Sequence, residues 1–134
     1  VDDEISAFVD GSQTKYAFKD EAEYYSDLQK SKFGITTKRA GWDCLRHYEI
    51  AANGAVICFR DLNKKPPFCA PHGLIDGLNC ISYSNYEDLI SKINSINDQE
   101  YEKLANASID WANQNSCENA AKKLLKKFNL DLKD

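Results

Sequence analysis

Ala55-Val56-Ile57-Cys58-Phe59 is an unbroken apolar run that follows directly on Asn53-Gly54. A strand without a polar position is the pattern of one covered on both faces, the usual state of strands in a parallel sheet. Phe33-Gly34-Ile35-Thr36-Thr37 reads as a strand before it and Cys80-Ile81-Ser82-Tyr83-Ser84 as one after it. Ile5-Ser6-Ala7-Phe8-Val9 reads as a further short strand, stopped by Asp10-Gly11. Helical patterns lie between and behind these strands. The alternation predicts an α/β domain, a small parallel sheet with helices on both faces and a helical C-terminal tail. Ligands of such sheets bind at the carboxyl ends of the strands.

Capping residues mark the helix ends. Asp20 reads as an N-cap with Glu23 as its capping-box partner. It opens a helix to about Ser31 with Tyr24, Tyr25 and Leu28 on its inner side. Asp43 reads as the cap of the next helix, with Leu45, Tyr48 and Ala52 as its shared face and Gly54 as its left-handed stop. Ser84 or Asn85 can cap a helix through Ile96, lined by Leu89, Ile90, Ile93 and Ile96. Asp98 reads as the cap of another, carrying Tyr101, Leu104, Ala105, Ser108 and Ala112. The last helix carries Cys117, Ala120, Ala121, Leu124 and Phe128. Residues 60–79 read as a long loop with Pro66-Pro67, Pro71, Gly73 and Gly77, and loops of that length are often functional.

At 134 residues, with 43% apolar and 28% charged side chains, the chain reads as one domain spanning 1–134. It opens on Val1 and contains no Met, which reads as a piece of a longer protein. The net charge of −4 argues against nucleic acid as a partner. Lys122, Lys123, Lys126 and Lys127 crowd the last helix, either as its solvated face or as a peripheral membrane contact. No apolar run is long enough to span a bilayer. The five cysteines are odd in number, and several lie in apolar runs. Free thiols in a reducing compartment account for them, so a cytoplasmic location is expected and the Asn106-Ala107-Ser108 sequon is discounted.

The loop Lys38-Arg39-Ala40-Gly41-Trp42 falls at the carboxyl edge, between a strand and a helix N-terminus. A helix N-terminus presents unpaired N–H groups and partial positive charge. Lys38 and Arg39 add formal charge, Gly41 admits close backbone approach, and Arg46 follows one turn inside the helix. Together they suit a phosphate or diphosphate. Glu49 lies three residues after Arg46 on the same side, where a carboxylate can hold a ribose diol or pair with Arg46. Trp42 can stack on a nucleobase or pack the loop. The same charges also admit a plain reading as exposed loop residues and local ion pairs.

Three stretches carry a resemblance. Glu23-Tyr24-Tyr25-Ser26-Asp27-Leu28 running into Phe33-Gly34 is one, and Gly41-Trp42-Asp43-Cys44-Leu45-Arg46-His47-Tyr48-Glu49 through Gly54-Ala55-Val56 is the second. Asp76-Gly77-Leu78-Asn79-Cys80-Ile81 is the third. Across roughly residues 20–128 the chain resembles the C-terminal domain of exostosin-like and group 1-like GT-B glycosyltransferases, whose two halves are each Rossmann-like. The resemblance implies half of a GT-B fold that binds a nucleoside-diphosphate-sugar donor. Glu49 would match the ribose-binding glutamate, and Arg46 with Lys38 or Arg39 would steady the diphosphate. Gly41 and Trp42 complete the expected substrate-binding set. No tightly bound metal is implied, because helix dipole and basic side chains offset the leaving-group charge. The acceptor, a glycan or other molecule, would be held by a separate N-terminal domain. That domain would also carry the catalytic base, so this piece alone would be inactive. Ile57-Cys58 stand where the family often has Pro, and the second glutamate of a spaced pair is not found.

Other constellations read more weakly. Cys69, His72 and Cys80 lack the paired spacing of a zinc site. Cys44 with His47 or His72 is a conceivable thiol–imidazole pair, with small buried thiols as the simpler reading. His47 can bond substrate or pack, and Asp76 can touch a sugar or make a turn with Gly77. A receiver-like fold would need clustered strand-end acids and a late Lys, which are not found. The alternative to a transferase domain is a non-catalytic Rossmann-like module that binds a nucleotide or a protein.

Overall fold

A computed structural model describes residues 17–128. The strand read at Ile5–Val9 lies outside the described residues. The element order is α1 (Glu21–Lys30), β1 (Phe33–Thr36), α2 (Leu45–Ala52), β2 (Val56–Arg60), one 3₁₀ turn (Leu62–Lys64), β3 (Cys80–Tyr83), α3 (Tyr86–Ser95), α4 (Asp98–Gln114) and α5 (Cys117–Lys127). The strands form a three-stranded parallel sheet in the order β1-β2-β3. Gly34 pairs with Ile57 and Cys58 with Ile81. The fold is α/β and Rossmann-like.

β2 is central, and its apolar run is buried from Val56 to Phe59. The alternation of side chains along a strand divides that run between two cores. Ile57 and Phe59 join Leu28, Ile50, Ala51, Leu62, Cys80, Trp111 and Ala112 on one face. Val56 and Cys58 join Ile81, Tyr83, Leu89 and Leu104 on the other. α4 serves both cores, through Tyr101 and Leu104 early and through Trp111 and Ala112 late. Gly34 lets α2 lie close on β1, because a Cβ there would sit 2.4 Å from Ile50 Cγ2.

Several helix boundaries follow the expected residues. Asp20 accepts from Glu23 N, and Asn85 accepts from Asp88 N. Gly54 takes φ +90° directly after α2. Others differ. Asp43 does not cap α2: the N-cap is Cys44, which makes no side-chain cap bond, and Asp43 instead accepts from the Tyr48 hydroxyl at 2.9 Å. Asn97, not Asp98, caps α4, in a reciprocal box with Glu100. The buried residues of α2 are His47, Ile50 and Ala51, while Leu45 is 70% exposed and Ala52 is also exposed. That face wins because His47 finds partners for both ring nitrogens inside the fold. α5 buries none of its residues.

The connection between β2 and β3 needs no functional explanation for its length. Parallel neighbours require a crossover of a dozen or more residues, usually a helix. Here the 3₁₀ turn and an irregular chain make the crossing, with a cis peptide at Ala70-Pro71 and buried Pro71. Side chains replace a helix's hydrogen bonds. Asn79 accepts from Ile75 N at 2.8 Å and donates to Gly73 O at 2.8 Å. Asp76 accepts from Ser82 N at 2.7 Å, and Trp111 Nε1 donates to His72 O at 2.8 Å. Lys65 donates to Pro66 O and Cys69 O.

Candidate functional site at the carboxyl edge

The chain leaves β1 at Thr36 and enters α2 at Leu45, so residues 37–44 form the loop at the carboxyl edge of the sheet. Lys38, Arg39 and Gly41 are exposed there. Arg39 N donates to Gly41 O at 3.3 Å, which makes a tight turn. A Cβ at Gly41 would meet no atom within 4 Å, so the outer side of this turn is open. Trp42 is half-buried, its ring stacked on Phe59 at 6.1 Å between centroids. The Lys38 ammonium lies over the other part of this arrangement, 5.7 Å from the Trp42 centroid.

His47 anchors the loop to the sheet. The ring is fully buried, with Nε2 2.9 Å from Trp42 O and Nδ1 3.0 Å from Thr36 Oγ1. A carbonyl only accepts, so Nε2 carries the hydrogen and Nδ1 accepts from the threonine hydroxyl. One neutral tautomer satisfies both contacts. Burial lowers its pKa, partly opposed by the Trp42 carbonyl and Asp43. The ring is used up in packing, so it is not a substrate ligand. Cys44 Sγ lies 3.4 Å from Nε2. With the ring neutral and engaged, no imidazolium is present to stabilise a thiolate, and a Cys-His nucleophile is not formed.

Arg46 and Glu49 share a side of α2. Glu49 accepts from the Tyr24 hydroxyl at 3.1 Å, which ties α1 to α2. Burial first, then Glu49, pushes the Tyr24 phenol up to about 12, while the charge of Arg46 pulls it back. Arg46, Tyr24 and Glu49 therefore act on one another. Gln29 Nε2 donates to Asn53 Oδ1 at 3.0 Å as a second tie between the two helices. Nothing in the sequence pattern marks Tyr24 as the partner of Glu49, which lies 25 residues on.

The start of α2 differs from that of every other described α-helix. α1, α3, α4 and α5 each have a side-chain acceptor at the N-cap and an acidic residue in the first turn. α2 has neither. No side-chain acceptor or acid offsets the partial positive charge of its first turn, an arrangement that favours an anion.

No protein-family model matches the chain, and no curated protein matches it. The remaining sequence candidates fall elsewhere. Asp76 sits beside Cys80, at the amino end of β3, and serves as a clamp. Among the described residues no group of His, Cys, Asp and Glu stands close enough to hold a metal, so Cys69, His72 and Cys80 are not brought together. Burial pushes the Cys58 and Cys80 thiols up to about 12, which makes both inert. A concavity of about 480 Å³ lies against α1, lined by residues such as Phe18, Asp20, Asp27 and Lys30, and by none of the six carboxyl-edge residues. No helix among the described residues is long and apolar enough to cross a membrane.

Proposed function

We propose that this chain is the donor-binding domain of a two-domain GT-B glycosyltransferase and holds a nucleoside-diphosphate sugar at the carboxyl edge of its sheet. The observation that carries this reading is the start of α2, the one described α-helix with neither a side-chain cap nor a first-turn acid. The diphosphate sits against the N–H groups of its first turn. Lys38, Arg39 and Arg46 offset the charge that builds on the leaving group as the glycosidic bond breaks. Glu49 offers its carboxylate to the ribose hydroxyls, and Trp42 borders the base. The sugar passes to an acceptor held by a separate domain, and no resident metal is needed.

The test is a calorimetric titration of the chain with UDP, GDP and ADP, repeated with Glu49→Ala and Arg46→Ala. Saturable binding of one nucleotide, lost in both variants, is the expected result. No heat from any of the three at millimolar ligand would overturn the donor site. A second reading, a non-catalytic Rossmann-like module, draws on the Tyr24–Glu49 bond, which already engages the carboxylate meant for ribose. That reading gains if Tyr24→Phe leaves every nucleotide unbound.

A further inference from the structure

Among the described helices α5 carries the strongest amphipathic contrast, yet none of its residues is buried. On a period of 3.6 residues, Cys117, Ala120, Ala121, Leu124, Leu125 and Phe128 fall within an arc of about 140°. In a helix of the body such an arc would be core. Here Leu124 is 57% and Phe128 64% exposed, and the helix buries no residue. All four lysines lie outside the arc. Lys127 borders it on one side and Glu118 on the other, with Lys122, Lys126 and Lys123 spread across the polar face between them. Glu118 is the one acid of the helix and is paired with Lys122.

We propose that α5 is an interfacial helix that lays its Leu124–Phe128 face on an anionic lipid surface. The charge pattern selects this occupant. α5 carries four lysines against one acid, so a second copy docked through the same face would bring two cationic helices side by side, and like charges at close range repel. An anionic headgroup layer instead meets a helix with four lysines against one acid, and the long lysine stems, Lys127 at the border of the arc first, let the ammonium groups reach phosphates while Leu124 and Phe128 enter the acyl boundary. The whole chain carries a net charge of −4, so the attraction is local. Screening within roughly 10 Å lets the helix act apart from the acidic body and fixes which side faces the bilayer. This inference is independent of any donor site.

The test is co-sedimentation of the full chain with phosphatidylcholine vesicles, with and without phosphatidylserine, at low and high salt. Binding to the anionic vesicles alone, weakened by salt, is expected. Lys126→Gln/Lys127→Gln should bind about thirtyfold more weakly, since each lysine near such a surface contributes about 1 kcal/mol. Leu124→Asn/Phe128→Ser should also release the chain. Circular dichroism should be unchanged in both variants, because neither touches a buried residue. Failure to sediment with anionic vesicles, equal binding to neutral ones, or wild-type binding by the lysine variant overturns the proposal. So does sedimentation-velocity evidence of a dimer that Leu124→Asn/Phe128→Ser dissolves while vesicles leave it intact.

Discussion

The two connections between neighbouring strands solve the same problem in opposite ways. The one from β1 to β2 runs through a basic loop and a helix, and it leaves that helix without a side-chain cap and Lys38 and Arg39 exposed at the carboxyl edge. The one from β2 to β3 has no α-helix and turns its polar groups on itself, through Asn79, Asp76, Lys65 and the His72 carbonyl. The second is scaffold held by side-chain bonds, and the first carries the proposed donor site. A long loop rich in Pro and Gly is thus the more firmly tied down of the pair.

Trp111→Ala gives the largest expected effect on that contrast. Trp111 is 3% exposed, stacks on Tyr48 at 4.8 Å and holds His72 O. Its loss should cost about 3–5 kcal/mol in chemical denaturation. It should also expose the β2–β3 connection to protease before the β1–β2 loop is cut. Gly34→Ala follows at about 2 kcal/mol, from the clash with Ile50. Ile50→Ala makes room, so the double variant should be more stable than the sum of the single losses requires; strict additivity would show that Gly34 matters for another reason. Asn79→Ala removes the acceptor of Ile75 N and the donor to Gly73 O and should cost about 1 kcal/mol, without altering nucleotide binding.

His47 adds a pH dependence with a fixed sign. The unfolded chain takes up a proton near the ordinary imidazole value of 6.5, whereas the folded ring does so only at lower pH. Below 6.5 the unfolded state therefore holds more protons, and stability falls as pH drops towards the lowered folded value. Above 6.5 this contribution is intact. Denaturant midpoints between pH 7.5 and pH 5 should show this slope reduced in His47→Gln; an unchanged slope would place its origin elsewhere. The smallest expected effect on stability is that of Lys38→Ala, within about 0.5 kcal/mol. The same variant should weaken nucleotide binding, and the two results together would place function on the first connection and stability on the second.

Much of this architecture can be read along the chain. The run from Val56 to Phe59 is a buried central strand, Gly54 closes α2 in the left-handed region, and Asp20 and Asn85 cap their helices. These features are local: their cause lies within a few residues of their effect. What escapes the sequence is non-local. Leu45 is apolar yet exposed, and His47 is polar yet buried, because Thr36 and the Trp42 carbonyl complete the imidazole in space. Asp43 has the right chemistry for a cap, but the Tyr48 hydroxyl takes its carboxylate. At the candidate site, the charges of residues 38–49 are visible in the sequence. The tie from Tyr24 to Glu49 comes only from α1 folding across α2.

α4 contributes to the cores on both faces of the sheet, with Leu104 in one and Trp111 in the other. A sheet of three strands flanked by separate helices could shed one layer and keep the other. A helix shared between the layers forbids that, since fraying at either end opens the neighbouring core. The domain is therefore expected to melt as one unit, with Trp111 fluorescence and helical circular dichroism tracing a single transition.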